Sequence, residues 1–376
     1  TIDPDLIPED IDLVVYTPAI PNDNVEFKTL KRSSIPMFKR AELLGLISKD
    51  YKCIAVAGTH GKTSTSAVIA HLLKYCGLDV SAFIGGILAE EKTNYIQGRS
   101  EYVVLEADEY DRSFLHLHPE ILLINSLDAD HLDIYGDQGA MITAYEQLTM
   151  QVRRKGLIII MSDFETYFSE TWRHTLESRG ITIQTFAYDF FYDNVSIEDA
   201  CYHFEFRNKQ MRIDKAKSRM PGLHNIANSS AAIQIADYLG FAKEPIVEAL
   251  DVFKGIRRRF EIVHEGNLTI INDYAHHPEE LKHALETVNS LYDGKRILVV
   301  FQPHLYSRTR DFYKEFAEVL EKAYMLWLLE IYPAREQAIP GVESELIFNL
   351  IRNDNKRLLM SKDIVSEFKN VKHKYD

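Results

Sequence analysis

The chain has 376 residues, 46% hydrophobic and 26% charged, with a formal net charge of -13. That length suits two or three domains with sizeable cores, and the acidic balance argues against a general nucleic-acid or anionic-membrane surface, so any phosphate site must be local. Three cysteines without CxxC spacing fit a reducing compartment better than a disulfide framework, and with no apolar run near the ~20 residues of a membrane span and no signal peptide, the expectation is a cytoplasmic protein.

Residues 1–46 offer one clear strand over Asp12–Tyr16, a proline-rich turn and a helix leading out from Arg40. This is too little for a separate α/β domain, and it reads as the end of one whose beginning precedes Thr1. Residues 47–256 alternate strand and helix, with short apolar runs at Cys53–Ala57, Tyr102–Glu106, Ile121–Asn125 and Leu157–Met161. Such runs suit strands of a mainly parallel sheet, buried on both faces. Residues 181–214 are expected to add a small antiparallel piece. The helix Ile226–Leu239 follows, stopped by Gly240. Residues 257–376 form a second alternating series, with strands at Leu268–Asn272, Arg296–Phe301 and Met325–Leu329 and helices from about Pro278, Thr309 and Val342. This predicts a Rossmann-like domain whose last strand and helix lie beyond Asp376.

The first strand runs into Gly58-Thr59-His60-Gly61-Lys62-Thr63-Ser64 and then a helix. Glycines allow a tight turn with inward-facing N–H groups, and the helix N-terminus adds its positive dipole end. Lys62 is placed to reach β- and γ-phosphates and Thr63 to hold Mg²⁺. In sheets of this kind ligands sit beyond the carboxyl ends of strands, so Glu106 and the Asp128–His131 segment should converge on the same phosphates. Glu106 is the first choice as metal ligand, against a reading of Glu106–Asp111 as a solvated acidic loop. His131 is either structural, a ligand for a second metal or a group that binds the transferred phosphoryl. Asn225 and Asn228 open a helix, where capping competes with adenine recognition and is the reading the residues favour. In the last domain Asp273–Pro278 and Gln302–Arg310 follow successive strands. There Asp273 could hold an ammonium, while Arg308 or Arg310 could clamp a carboxylate.

Taken in order, Gly58–Thr63, Glu106–Glu109, Asp128–His131, His224-Asn225, Arg257–Glu261, Asp273–Pro278 and Gln302–His304 resemble the Mur ligases along nearly the whole chain. The resemblance implies the end of an N-terminal UDP-binding domain (1–46), a central ATP-binding domain (47–256) and a C-terminal ligase domain (257–376). It implies ATP and Mg²⁺, with Lys62 on the γ-phosphate, Thr63 and Glu106 on Mg²⁺, and His131 on a second Mg²⁺. Asn225 and Asn228 would lie at adenine and Arg259 at nucleotide phosphate, while His276, Arg308 and Arg310 would line the substrate cleft. The implied activity is joining an amino acid to UDP-N-acetylmuramate, with L-alanine favoured by Asp128–Tyr135, through an acyl phosphate in cytoplasmic peptidoglycan synthesis. His276 would take the amine proton, and the enzyme would be a monomer or homodimer. A murein tripeptide-recycling ligase, a folylpolyglutamate-type ligase and an inactive nucleotide-binding relative are the alternatives. Two departures stand out: such ligases often carry glycine at Ala275 and arginine at Leu305.

Overall fold

The computed structural model describes residues 3–17, 20, 21, 23–128, 135–161, 166–198, 201–334 and 336–372. The chain divides into two compact units. One holds Thr1–Val195, His203–Arg219 and His224–Lys254; the other holds Ser196–Tyr202, Met220–Leu223 and Gly255–Asp376. Residues 1–46 are grouped with the first unit.

At the start of the first unit, β1 (Val14–Tyr16) pairs in parallel with β2 (Met37–Lys39), joined through the helix Val25–Arg32. Asn24 caps that helix, its Oδ1 accepting the Phe27 N–H at 2.9 Å. The helix Arg40–Asp50 then leads into the main sheet. Its strands are β3 (Lys52–Ala57), β4 (Ser81–Phe83), β5 (Tyr95–Ile96), β6 (Tyr102–Glu106), β7 (Ile121–Ile124), β8 (Leu157–Ile160) and β9 (Thr182–Thr185). They lie in the order β5-β4-β6-β3-β7-β8-β9, and every pairing but that of β5 with β4 is parallel.

The central strands are apolar because both faces are covered. Cys53–Ala57 of β3 are wholly buried, as are the residues of β7 and β8. Burial pushes the Cys53 thiol up to about 12, so it stays a protonated small hydrophobe. The core below them gathers Leu122, Ile124, Met141, Tyr145, Leu148, Ile158, Trp172 and Leu176. Thr182–Thr185, expected in the antiparallel addition, instead closes the main sheet in parallel register with β8, from Leu157↔Thr182 to Ile160↔Thr185. Its polar residues are tolerated because it is an edge strand. The addition itself is a three-stranded sheet of β10 (Phe190–Glu198), β11 (Cys201–Asn208) and β12 (Arg212–Ser218), in that order.

In the second unit β13 (Glu261–His264) pairs antiparallel with β14 (Ile270–Asn272). A separate parallel sheet runs β15 (Leu298–Phe301), β16 (Met325–Leu329), β17 (Lys356–Leu359). The strand expected at Leu268–Asn272 therefore exists but joins the two-stranded sheet rather than the parallel one. The helices Pro278–Leu291 and Tyr306–Leu320 contribute Leu281, Phe316 and Leu320 to a core with Phe301, Leu326, Leu328 and Ile347. The helix expected from about Val342 is the short Glu345–Phe348, and β17 escaped sequence reading because Lys-Arg-Leu-Leu shows neither an apolar run nor alternation.

Candidate functional site

β3 lies between β6 and β7, where the chain's crossovers leave in opposite directions along the sheet. Ligands in such sheets bind beyond the carboxyl ends of strands at that point. β3 ends at Ala57, the loop 58–61 follows, and the helix Lys62–Tyr75 begins at once. Gly58 and Gly61 adopt φ of 128° and 79°, which side chains other than hydrogen disfavour. Space also requires glycine: a Cβ on Gly58 would lie 2.8 Å from the Ser126 nitrogen, and one on Gly61 would lie 2.8 Å from Asn125 Nδ2 and 3.1 Å from Asn228 Oδ1. The loop is thereby pressed onto the residues that follow β7 and onto the helix Leu223–Tyr238.

Each remaining loop residue is tied down. Thr59 Oγ1 donates to the Asp128 carbonyl at 2.8 Å, and the His60 N–H donates to Ser126 Oγ at 2.9 Å. His60 Nε2 stands 3.9 Å from Asp128 Oδ2. Thr63 Oγ1 donates to Glu106 Oε1 at 2.9 Å, while Glu106 Oε2 accepts the Gly85 N–H at 2.7 Å. Lys62 Nζ donates to the carbonyls of Gly58 and Thr59 and lies 2.8–2.9 Å from both oxygens of Glu109. Burial raises the Glu109 carboxyl above its ordinary range, partly countered by the Lys62 ammonium. Ser64 sits half-buried in the helix's first turn.

Glu106 and Asp128 both meet the loop, and residues 129–131 of the Asp128–His131 segment lie outside the described residues. The Thr63 hydroxyl and the Glu106 carboxylate side by side make a hard-oxygen pair that fits Mg²⁺, which usually takes only one or two carboxylates besides phosphate oxygens. Among the described residues no group of three or more His, Cys, Asp or Glu side chains forms a metal cage. His131 lies outside the described residues.

The helix Leu223–Tyr238 begins before Asn225, so Asn225 and Asn228 are inside its first turns and not at its cap. The capping reading is thus corrected. Both are buried, and Asn228 Nδ2 donates to Asn225 Oδ1 at 3.3 Å. Burial of two amides on one helix, one of them against Gly61, is an arrangement capping would not need.

The second unit carries its own cluster. Asp273 follows β14, and its two oxygens accept the N–H groups of Phe260 and Ala275, each at 2.7 Å. Phe260 and Arg258 both have left-handed φ, so Asp273 pins a strained turn that aims Arg259, whose guanidinium lies 5.9 Å from the Tyr274 ring centre. Burial raises the Asp273 carboxyl above its usual range. The folded state therefore holds that proton more tightly than the unfolded chain, and this contribution to stability fades as pH rises above about 4 through the raised value. Asp273→Ala removes both acceptors and is expected to destabilise the protein by about 1–3 kcal/mol for the buried Phe260 N–H alone, read as a lower urea midpoint with unchanged slope.

His276 Nδ1 lies 2.8 Å from the Tyr274 carbonyl, so this nitrogen carries the hydrogen and Nε2 is the basic one. The His276 ring is 6.0 Å from that of His304, which stacks on Tyr332 at 5.6 Å. Arg308 Nη1 is 3.4 Å from His304 Nδ1. Burial, Arg308 and His276 all hold His304 below the ordinary histidine range. Leu305, at φ 74°, opens the helix that carries Arg308. Arg310 points elsewhere: it is half-exposed and paired with Asp311 at 2.7 Å.

Sequence reading passed over Asn125, Ser126, Gly85, Tyr332 and the role of Glu109. Only Asn125 and Ser126 carried a signal, as polar residues directly after a buried strand.

The chain matches the model of the Mur ligase middle domain over residues 56–236 and that of the Mur ligase, glutamate ligase domain over 258–373. It is 41% identical over 353 residues to the UDP-N-acetylmuramate–L-alanine ligase of Christiangramia forsetii, covering 94% of this chain and 76% of that protein. The ligase of the same name from Flavobacterium psychrophilum is 40% identical over 369 residues, covering 96% and 79%. The crystal structure of the UDP-N-acetylmuramate-alanine ligase of Thermotoga maritima superposes with a TM-score of 0.81 at 27% identity, over 98% of this chain and 80% of that one.

Proposed function

The chain belongs to the Mur ligase family, and from that premise we propose that it is an ATP-dependent ligase joining L-alanine to the carboxylate of UDP-N-acetylmuramate. The observation that carries the reading is the loop Gly58–Thr63, with Lys62 drawn into it and Thr63 against Glu106, in a chain 41% identical to a ligase of that name. The central and C-terminal regions, 47–256 and 257–376, are the ATP-binding and amino-acid-adding domains, and 1–46 is the end of a UDP-binding domain. The work is cytoplasmic; among the described residues no helix is long and apolar enough to cross a membrane.

The muramate carboxylate oxygen attacks the γ-phosphorus of ATP and ADP leaves, giving an acyl phosphate. This step needs charge neutralisation more than covalent help. Lys62 and the loop amides supply part of it from the protein. Thr63 and Glu106 would hold Mg²⁺, which neutralises phosphate charge when bound. Asn225 and Asn228 recognise adenine, and Arg259 meets nucleotide phosphate. The alanine nitrogen then attacks the acyl carbon and inorganic phosphate departs. A neutral amine is required, and His276 takes its proton through Nε2, while Arg308 binds the amino-acid carboxylate.

The test is phosphate release by purified protein with ATP and Mg²⁺, adding UDP-N-acetylmuramate and then L-alanine, glycine, L-serine or murein tripeptide singly. Release that needs both the UDP-sugar and L-alanine is expected. Release with tripeptide alone would replace this reading with that of a recycling ligase.

A further inference from the structure

Glu109 is the buried carboxylate of the loop region that the scheme above leaves unused. Both its oxygens lie within 2.9 Å of Lys62 Nζ. The same nitrogen donates to the Gly58 carbonyl at 2.7 Å and the Thr59 carbonyl at 3.2 Å. An ammonium has three N–H donors, so the two carbonyls and Glu109 together use all that Lys62 possesses. A phosphate oxygen must take one of those places. The carbonyls belong to the wall of the loop and move only with it, whereas Glu109 is a side chain on another segment. A carboxylate and a phosphate on one ammonium also repel each other, strongly so where water is excluded.

The segment that presents Glu109 is itself held in an unusual conformation. Asp111 and Arg112, neither of them glycine, have successive left-handed φ of 52° and 54°. Tyr135 Oη donates to the Glu109 carbonyl at 2.7 Å, Asp108 Oδ1 accepts the Tyr110 N–H at 3.1 Å, and Lys39 pairs with Asp111 at 3.0 Å. The turn is thus fastened from several sides in the geometry that brings the carboxylate to Lys62.

We propose that Glu109 is a positioning residue that competes with nucleotide phosphate for Lys62, keeping the ammonium drawn into the loop and yielding its place to a phosphate oxygen as the Asp108–Arg112 turn shifts. This rests on the nucleotide-binding reading above and adds to it a built-in competitor. A residue that merely supports the fold would, when altered, leave nucleotide affinity unchanged or weaken it. A competitor would, when weakened, tighten it.

The experiment measures binding of a fluorescent ATP analogue with Mg²⁺ to the full chain and to Glu109→Gln, which keeps size and hydrogen bonding but loses the charge. The expected result is a Kd lower by about fivefold, the difference between a charge-assisted and a neutral hydrogen bond to Lys62, and a lower KM for ATP. In the Lys62→Ala background, where no ammonium is left to compete for, the same substitution should change Kd by a different factor than in the unaltered chain, so that the two effects are not additive. Should Glu109→Gln unfold, Glu109→Asp retains the charge one methylene short of Lys62 and should also bind more tightly. An unchanged or higher Kd in the folded variant overturns the proposal while leaving the nucleotide reading intact; failure of the unaltered chain to bind the analogue overturns both.

Discussion

Lys62→Ala is expected to reduce L-alanine-dependent phosphate release by about 10²–10³-fold or more, the scale of removing one preorganised charge donor from a transition state. Two physical effects act together. The ammonium that neutralises the transferring phosphoryl is gone, and Glu109, 3% exposed at its side chain, is left as a buried carboxylate without its cation. Breaking a buried pair from one side costs about 3–5 kcal/mol when the remaining group stays ionised. The variant should therefore also unfold at lower urea, and more so at high pH, because protonation of Glu109 relieves the penalty at low pH. Lys62→Ala/Glu109→Gln should recover much of that stability and none of the turnover. Retention of a tenth or more of wild-type turnover in Lys62→Ala would remove this lysine from the chemistry.

The second large effect is expected at Gly58→Ala. The substitution meets two independent obstacles: a backbone φ of 128°, and a Cβ 2.8 Å from the Ser126 nitrogen and 3.0 Å from Asn125 Cβ. The first costs about 1–3 kcal/mol of strain. The second cannot be relieved by rotating a side chain, because the obstructing atoms belong to the strand end beneath the loop. The loop must lift, carrying Thr59 off the Asp128 carbonyl and its amides off their aim. We expect nucleotide affinity to fall at least tenfold along with a loss of thermal stability. Gly77→Ala is the control: its φ of 94° is also left-handed, but an added Cβ there meets nothing within 4 Å. It should lower stability modestly and leave nucleotide binding intact. Equal effects at the two glycines would mean that torsion alone, and not close packing under the loop, shapes the cradle.

How much of this was legible varied with the range of the interaction. The loop was readable because every requirement for it is local: a buried strand, glycines for the turn, Lys62 and Thr63 in register at a helix start. The pairing of Thr63 with Glu106 was readable at one remove, since strand ends of a parallel sheet share an edge. The helix cap assigned to Asn225 and Asn228 failed because the helix starts at Leu223, a boundary that a run of His, Asn and Ser does not mark. The place of Thr182–Thr185 in the main sheet was hidden because an edge strand need not be apolar.

The sequence by itself determined the α/β class, the phosphate loop and the order of the motifs along the chain, since hydrophobic period, glycine torsion and helix starts act within a few residues. Only the tertiary structure decided which groups share an atom. Glu109 rather than another acid of the Glu106–Asp111 run reaches Lys62, Asn228 presses on Gly61, Asp273 spends both oxygens on backbone amides, and Arg308 rather than Arg310 stands beside His304. Those choices depend on distances between segments far apart in the chain, set by strand order and by close packing in three dimensions. No local pattern of residues encodes them.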